Sequence, residues 1–142
     1  MQHHTQTIKF QCGPIKEVGS TGADALYGGE GNDTLLGNSN QLLYAGDGND
    51  TMEAATSGNL YGEAGEDLLM ATIGGSTLYG GEGNDTLLCG TVADILYSDD
   101  GADSMDGGDE NAIALTKLEE TLMQHQRTRN RLMHGALSAL HQ

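Results

Sequence analysis

Five aspartates, Asp33, Asp50, Asp67, Asp85 and Asp103, stand 17, 17, 18 and 18 residues apart, each in the same phrase. Leu-Tyr-Gly-Gly-Glu-Gly-Asn-Asp-Thr-Leu-Leu occurs letter for letter at Leu26–Leu36 and at Leu78–Leu88. Weaker copies start at Leu43, Leu60 and Leu96. A period this regular restricts the chain to a repeat architecture, in which each unit buries its apolar face only against its neighbours. A disordered Gly/Asp linker would not keep Leu and Tyr in phase.

The unit is a nonapeptide, G-G-x-G-x-D-x-U-x, with U a large apolar residue. Full copies are Gly28–Leu36 and Gly80–Leu88, and good ones are Ala45–Glu53 and Gly62–Met70. Ser98–Asp106 is a fair copy. Between them lie degenerate units, Gly37–Tyr44, Ala54–Tyr61, Ala71–Tyr79 and Cys89–Tyr97, after a partial one at Gly19–Tyr27. Strong and weak units therefore alternate. This pattern resembles the RTX, or haemolysin-type, calcium-binding repeat family. The resemblance spans about Gly19 to Asp106. It implies an all-β repeat fold, a right-handed parallel β-roll (a β-helix or solenoid) of about five coils, two units to each coil. The strong units would then stack along one edge and the weak ones along the other.

Residue types support that geometry. Six residues turn and three form a short strand, with Gly supplying the positive φ of tight turns. Alternation sends the eighth position inward. The inward columns are Leu35, Met52, Leu69, Leu87 and Met105 on the strong side, and Leu26, Leu43, Leu60, Leu78 and Leu96 on the weak side. With one large core side chain per unit, apolar burial alone does not offset the entropy of ordering the turns. Bound ions are expected to contribute.

The family resemblance assigns those ions to Ca²⁺, held by the sixth-position carboxylates Asp33, Asp50, Asp67, Asp85 and Asp103. Turn carbonyls at the first four positions would complete each site. These belong to Gly28, Gly29, Glu30 and Gly31; Ala45, Gly46, Asp47 and Gly48; Gly62, Glu63, Ala64 and Gly65; and Gly80, Gly81, Glu82 and Gly83. Ca²⁺ takes six to eight oxygens, so an ion fits between two adjacent turns. Five turns leave about four gaps, hence up to about four ions. Two departures stand out: Ser98-Asp99-Asp100 lacks the paired glycines, and Gly62-Glu63-Ala64 shifts one. No stretch matches an EF-hand.

The weak edge has only Asp24 and Asp94 at the sixth position, far apart in the stack. Weak calcium binding at best is expected there, and Asp94→Ala should be nearly silent. All five tyrosines, Tyr27, Tyr44, Tyr61, Tyr79 and Tyr97, occupy the ninth position of weak units and predict an outward ladder. Such a ladder stabilises the sheet, or, with Leu42 and Ile95 beside it, offers a contact face.

The flanks are read separately. Residues 1–18 form a polar tail and a capping strand, Thr7–Cys12, with Gly13-Pro14 breaking it. Residues 19–110 form the roll. Residues 111–142 are expected to be helical, because Ile113, Leu115, Leu118, Leu122, Leu132, Met133, Leu137 and Leu140 fall on one stripe across Ala112–His141. Three roles remain open for that tail: a cap and oligomerisation stripe, an uncleaved export signal, or a basic helix for a membrane or acidic partner.

Charge excludes several function classes. The formal net charge is −15. From Glu17 to Glu110 there are 19 acidic residues and no Lys or Arg, which argues against nucleic acid and anionic membranes. Cys12 and Cys89 make no disulfide framework. Neither H-E-x-x-H nor G-x-S-x-G occurs, and no enzyme activity is expected. The resemblance implies a bacterial protein, exported without a cleaved Sec signal, by a type I route in preference to type III. The expected function is that of a secreted calcium-dependent structural or binding module. The alternative is a secreted effector or secretion-apparatus component whose C-terminal helix acts while the roll clamps on calcium. The tail or the tyrosine ladder would receive a second subunit or another protein.

Overall fold

The computed structural model describes residues 7–9, 16–18, 25–108 and 112–116. They form short strands in two stacks. In chain order these are β1 (Thr7–Lys9), β2 (Lys16–Val18), β3 (Ala25–Glu30), β4 (Thr34–Gly37) and β5 (Gln41–Asp47). Next come β6 (Thr51–Ala54), β7 (Gly58–Ala64), β8 (Leu68–Ala71), β9 (Thr77–Glu82) and β10 (Thr86–Leu88). The last are β11 (Ile95–Asp100), β12 (Ser104–Asp106) and β13 (Ile113–Leu115). Odd strands make a seven-stranded sheet and even strands a six-stranded one, each in consecutive order. Every pairing is parallel. The chain thus climbs one strand spacing per coil, as a parallel β-solenoid, and the two sheets face each other across a narrow core.

Register follows the nonapeptide. Leu35 aligns with Met52, Met52 with Leu69, Leu69 with Leu87, and Leu87 with Met105. Leu26, Leu43, Leu60, Leu78 and Leu96 align in the same way. All ten were expected inside; nine are fully buried, and Met105, at the end of the smaller sheet, is partly buried. The interior holds more than this eighth-position column. Ala45, Ala54 and Ala71 from the first position are buried, as are sixth-position polar groups. Positions one, six and eight all face inward, so the coil is filled by polar as well as apolar side chains.

Two expectations at the ends change. The strand expected at 7–12 is found at Thr7–Lys9, where it joins the larger sheet beside β3, and Lys16–Val18 joins the smaller sheet beside β4. The sheets therefore begin before Gly19. At the other end, the helix expected to start at Ala112 is corrected: Ile113–Leu115 is a strand paired with β11. The physical reason is the frame itself. Residues 107–115 are one more nonapeptide, with Ala112 in place of the sixth-position Asp and Leu115 in place of Tyr. The two substitutions hid the unit behind a helical stripe. The remainder of that stripe, 117–141, lies outside the described residues, and among the described residues there is no helix.

Candidate metal centre

Each strong turn places its aspartate between the end of one strand and the start of the next, facing the coil interior. Asp33, Asp50, Asp67 and Asp85 are only 1–3 % exposed. The backbone explains how they are held. The N–H of Asp33 donates to Oδ1 of Asp50 at 2.6 Å, that of Asp50 to Oδ1 of Asp67 at 2.8 Å, and that of Asp67 to Oδ1 of Asp85 at 2.9 Å. Asp85 donates likewise to Asp103 at 2.9 Å. The carboxylates of Asp50, Asp67, Asp85 and Asp103 thus reach back one coil and spend one oxygen on a backbone donor.

The other oxygen is not spent. Oδ2 of Asp50, Asp67 and Asp85 is buried and accepts no hydrogen bond, and Oδ2 of Asp33 is buried in the same row. Leaving buried carboxylate oxygens unsatisfied is costly. Beside them first-position glycines let oxygens crowd the backbone where a side chain would stand. A methyl group on Gly80 would stand 2.5 Å from Oδ2 of Asp85 and 2.8 Å from the Ser98 carbonyl. At Gly28 the same position meets Oδ2 of Asp33 and the Ala45 carbonyl, and at Gly62 it meets Oδ2 of Asp67 and the Gly80 carbonyl. Buried carboxylate oxygens beside carbonyls from the next coil are the donor chemistry of a hard cation. The residues present fit Ca²⁺.

Electrostatics lead to the same place. Residues 25–108 contain no Lys or Arg, so no side-chain cation from this stretch neutralises the row. Burial pushes Asp67 up to about 7; the Asp50 N–H opposes this, while the Asp50 and Asp85 charges add to it. Burial also raises Asp50 and Asp85, against the same kind of backbone bond. A buried row in which Asp67 holds its proton to about 7, and Asp50 and Asp85 are raised as well, is one that a divalent cation can discharge.

The turn backbone is shaped for close stacking. At the second position Gly46 has φ of 108°, and the Gly29 carbonyl of the neighbouring coil occupies the place of its missing Cβ. Two turns lack that glycine, as noted from sequence, yet keep its conformation: Glu63 has φ of 75° and Asp99 has φ of 63°. These are strained positions for residues with a side chain.

A second ladder, not foreseen from sequence, runs outside the first. Asn32 Oδ1 accepts the Asn49 N–H at 3.0 Å, Asn49 Oδ1 accepts the Glu66 N–H at 3.1 Å, and Asn84 Oδ1 accepts the Ala102 N–H at 2.9 Å. The Asp ladder bonds backward along the stack and the Asn ladder forward, so each turn is tied to both neighbours. The signal was the Asn-Asp pair at positions five and six.

The weak edge is not idle. Asp94 is 1 % exposed, and its Oδ1 accepts the Ser76 N–H at 2.6 Å, the same contact made on the strong edge. The Cys89 thiol bonds to Asp94. Burial first, then the Asp94 charge and that bond, then Asp106, push Cys89 up to about 12. The expectation that Asp94 does nothing is therefore corrected for stability. Elsewhere on this edge the sixth position is Gln41, Gly58 or Ser76, and a shallow cleft of about 180 Å³ opens around Gly58. Asp24 lies outside the described residues.

The tyrosine ladder forms as expected. Consecutive rings from Tyr27 to Tyr97 stack at 4.7–4.8 Å with interplanar angles of 2–7°. That is the spacing of the strands themselves. Burial raises the Tyr44 and Tyr79 hydroxyls, the neighbouring tyrosines add, and Glu63 and Asp99 add in turn.

The family model for the RTX calcium-binding nonapeptide repeat matches four times, over residues 18–41, 40–56, 61–91 and 90–113. The chain belongs to the RTX calcium-binding repeat family. Its repeats indicate calcium binding, and the match continues into the last strand of the solenoid. No curated protein and no solved structure matches the chain. Within the RTX frame, the matched residues include all five strong turns, and of the degenerate units between them they leave out only residues 57–60.

Proposed function

We propose that the strong edge binds a row of up to about four Ca²⁺ ions, one in each gap between adjacent turns. Asp33, Asp50, Asp67, Asp85 and Asp103 would supply carboxylate oxygens. The carbonyls of the first four positions of each turn would supply the rest, including those of Glu63 and Ala64. The observation that carries this reading is the line of buried Oδ2 atoms left over by the Asp-to-Asp backbone ladder. Bound calcium supplies the positive charge that the roll lacks. The chain's own residues do the rest: Oδ1 fixes the carboxylates of Asp50, Asp67, Asp85 and Asp103 on the coil below, Gly28, Gly62 and Gly80 let carboxylate and carbonyl oxygens come close together, and the stacked turns hold the carbonyls in line.

Because the ions bind only the coiled form, their binding free energy becomes folding free energy. The roll then acts as a secreted, calcium-dependent structural or binding module, folded where calcium is plentiful. The test is a calcium titration of chelator-treated protein followed by far-UV circular dichroism and calorimetry. Cooperative gain of β-signal with about three to four ions per chain supports it. A full β-signal in excess chelator, unchanged by calcium, refutes it.

A further inference from the structure

We propose that the outward face of the larger sheet is a docking surface for this chain's own residues 117–142. Alternation puts three columns on that face. One runs Ala25, Leu42, Asn59, Thr77, Ile95 and Ile113, apolar toward both ends of the sheet and polar in the middle, with Leu42 38 %, Ile95 36 % and Ile113 54 % exposed. The middle one is the tyrosine ladder. The third is the second-position column, where Gly29, Gly46 and Gly81 give way to Glu63 and Asp99. Tyr61 and Glu63 are two residues apart on β7, and Tyr97 and Asp99 are two apart on β11, so each acid shares the face of its tyrosine.

Glu63 and Asp99 occupy a backbone conformation that glycine holds without strain in the neighbouring coils. Retaining a side chain there costs stability and places a carboxylate beside the ladder, which points to a use for the charge. The ring faces are occupied by one another, so a visitor meets ring edges and hydroxyls, a border that is apolar at Leu42, Ile95 and Ile113, and the carboxylates of Glu63 and Asp99 along the other. That surface fits a segment both cationic and apolar, and it does not suit stacking of a flat ligand.

Residues 117–142 have that chemistry. They contain Lys117, Arg127, Arg129 and Arg131, four of the six Lys and Arg residues in the chain, together with Leu118, Leu122, Leu132 and Leu137. They also start in the right place. Strand β13 is the last of the larger sheet and pairs beside β11, so the chain leaves at Thr116 next to the end of the ladder. From Tyr97 back to Tyr27 is four steps of 4.7–4.8 Å. At about 3.3 Å per residue when extended, the segment has ample length to return along it. The argument rests on the sheet face and on charge, and does not depend on where calcium binds.

The test uses the full chain in calcium. All five tyrosines belong to the ladder and there is no tryptophan, so intrinsic fluorescence reports on this face alone. Acrylamide quenching is measured alongside mass by light scattering and the β-signal by circular dichroism. Reversing the charges in R127E/R129E/R131E should raise the quenching constant at least about twofold at unchanged mass and β-signal. The conservative R127K/R129K/R131K should stay protected. Adding Glu63→Arg and Asp99→Arg to the reversed variant should restore protection. Unchanged quenching after reversal overturns the proposal, as does failure of the swap to restore it. A wild-type dimer that the reversal splits would assign the surface to a second copy and overturn it equally.

Discussion

Asp50 donates its backbone N–H to Oδ1 of Asp67 at 2.8 Å, and the second oxygen of that carboxylate is buried without a hydrogen bond. One bond thus does two things. It locks the side chain of one coil onto the backbone of another, and it aims the remaining oxygen at the interior. Repeated along the row, it leaves Oδ2 of Asp50, Asp67 and Asp85 buried without a hydrogen bond, the feature on which the proposed calcium row rests.

The first consequence is that proton and calcium compete, with opposite effects of pH. Asp67 is raised from its ordinary 3.8 to about 7 in the folded, ion-free chain, so the folded state holds its proton longer than the unfolded one. The stability this gives is complete below about pH 4 and is lost as pH rises through about 7. Calcium needs the carboxylate ionised, so its affinity should rise across the same window and its binding should release protons. Without calcium the chain should keep more of its β-signal near pH 4 than near pH 8, while calcium affinity is greater near pH 8. Ion-free stability that increases with pH would contradict this account.

The second prediction separates the two edges. Asp67→Asn keeps an acceptor for the Asp50 N–H but removes charge from the centre of the row. It should lower calcium affinity and stoichiometry, and leave the calcium-free chain with equal or greater β-signal. Asp94→Ala removes the acceptor of a buried N–H on Ser76 and the partner of Cys89. Its expected cost is about 1–3 kcal/mol of stability, with calcium stoichiometry unchanged. Calorimetric titration and denaturant unfolding of both variants decide the matter; a loss of ions in Asp94→Ala would make the weak edge a site.

How much of this was legible in the sequence follows from where the period is strong. Ten core positions, the tyrosine ladder and the five aspartates could be placed because position in the nonapeptide fixes direction in space. The burial of Asp94 and the inward alanines was not legible in the calcium-like letters, because through the middle of the stack the coil turns first-, sixth- and eighth-position side chains inward whatever their chemistry. Strand β13 was missed for the complementary reason. Ala112 and Leu115 erased the two diagnostic letters, and Ile113 and Leu115 suit a helical stripe as well as a strand; what decided the matter was pairing with Ile95 and Tyr97, which local sequence does not contain.

The Asn ladder supplies the third prediction. Asn49 accepts the Glu66 N–H and in turn donates its own N–H to Asn32, so it is tied on both sides. Asn49→Ala deletes only the first of these bonds, at an exposed position. It should cost about 0.5–1.5 kcal/mol and leave calcium binding nearly intact. Denaturant unfolding in saturating calcium, with a parallel ion titration, checks both halves. A large drop in calcium affinity would mean that the outer ladder shapes the ion sites and does not merely staple the turns.

The last prediction concerns the aromatic column. Tyr61 stacks on Tyr44 and Tyr79, each at 4.7 Å, whereas Tyr97 stacks on Tyr79 alone among the tyrosines. Cross-strand pairs of this kind contribute roughly 0.2–1 kcal/mol each, so the effect should scale with the number of stacks lost. Tyr61→Leu deletes two and leaves an apolar residue of suitable β-propensity; Tyr97→Leu deletes one and extends the run that ends with Leu115. The cost in denaturant midpoint at saturating calcium should therefore be about twice as large for Tyr61→Leu. The near-UV circular dichroism of the coupled rings should also fall further in that variant, since it divides the ladder into two pairs. Equal and negligible losses would show that the rings are aligned by the backbone without holding it, and would leave the docking of another segment as the reason for their presence.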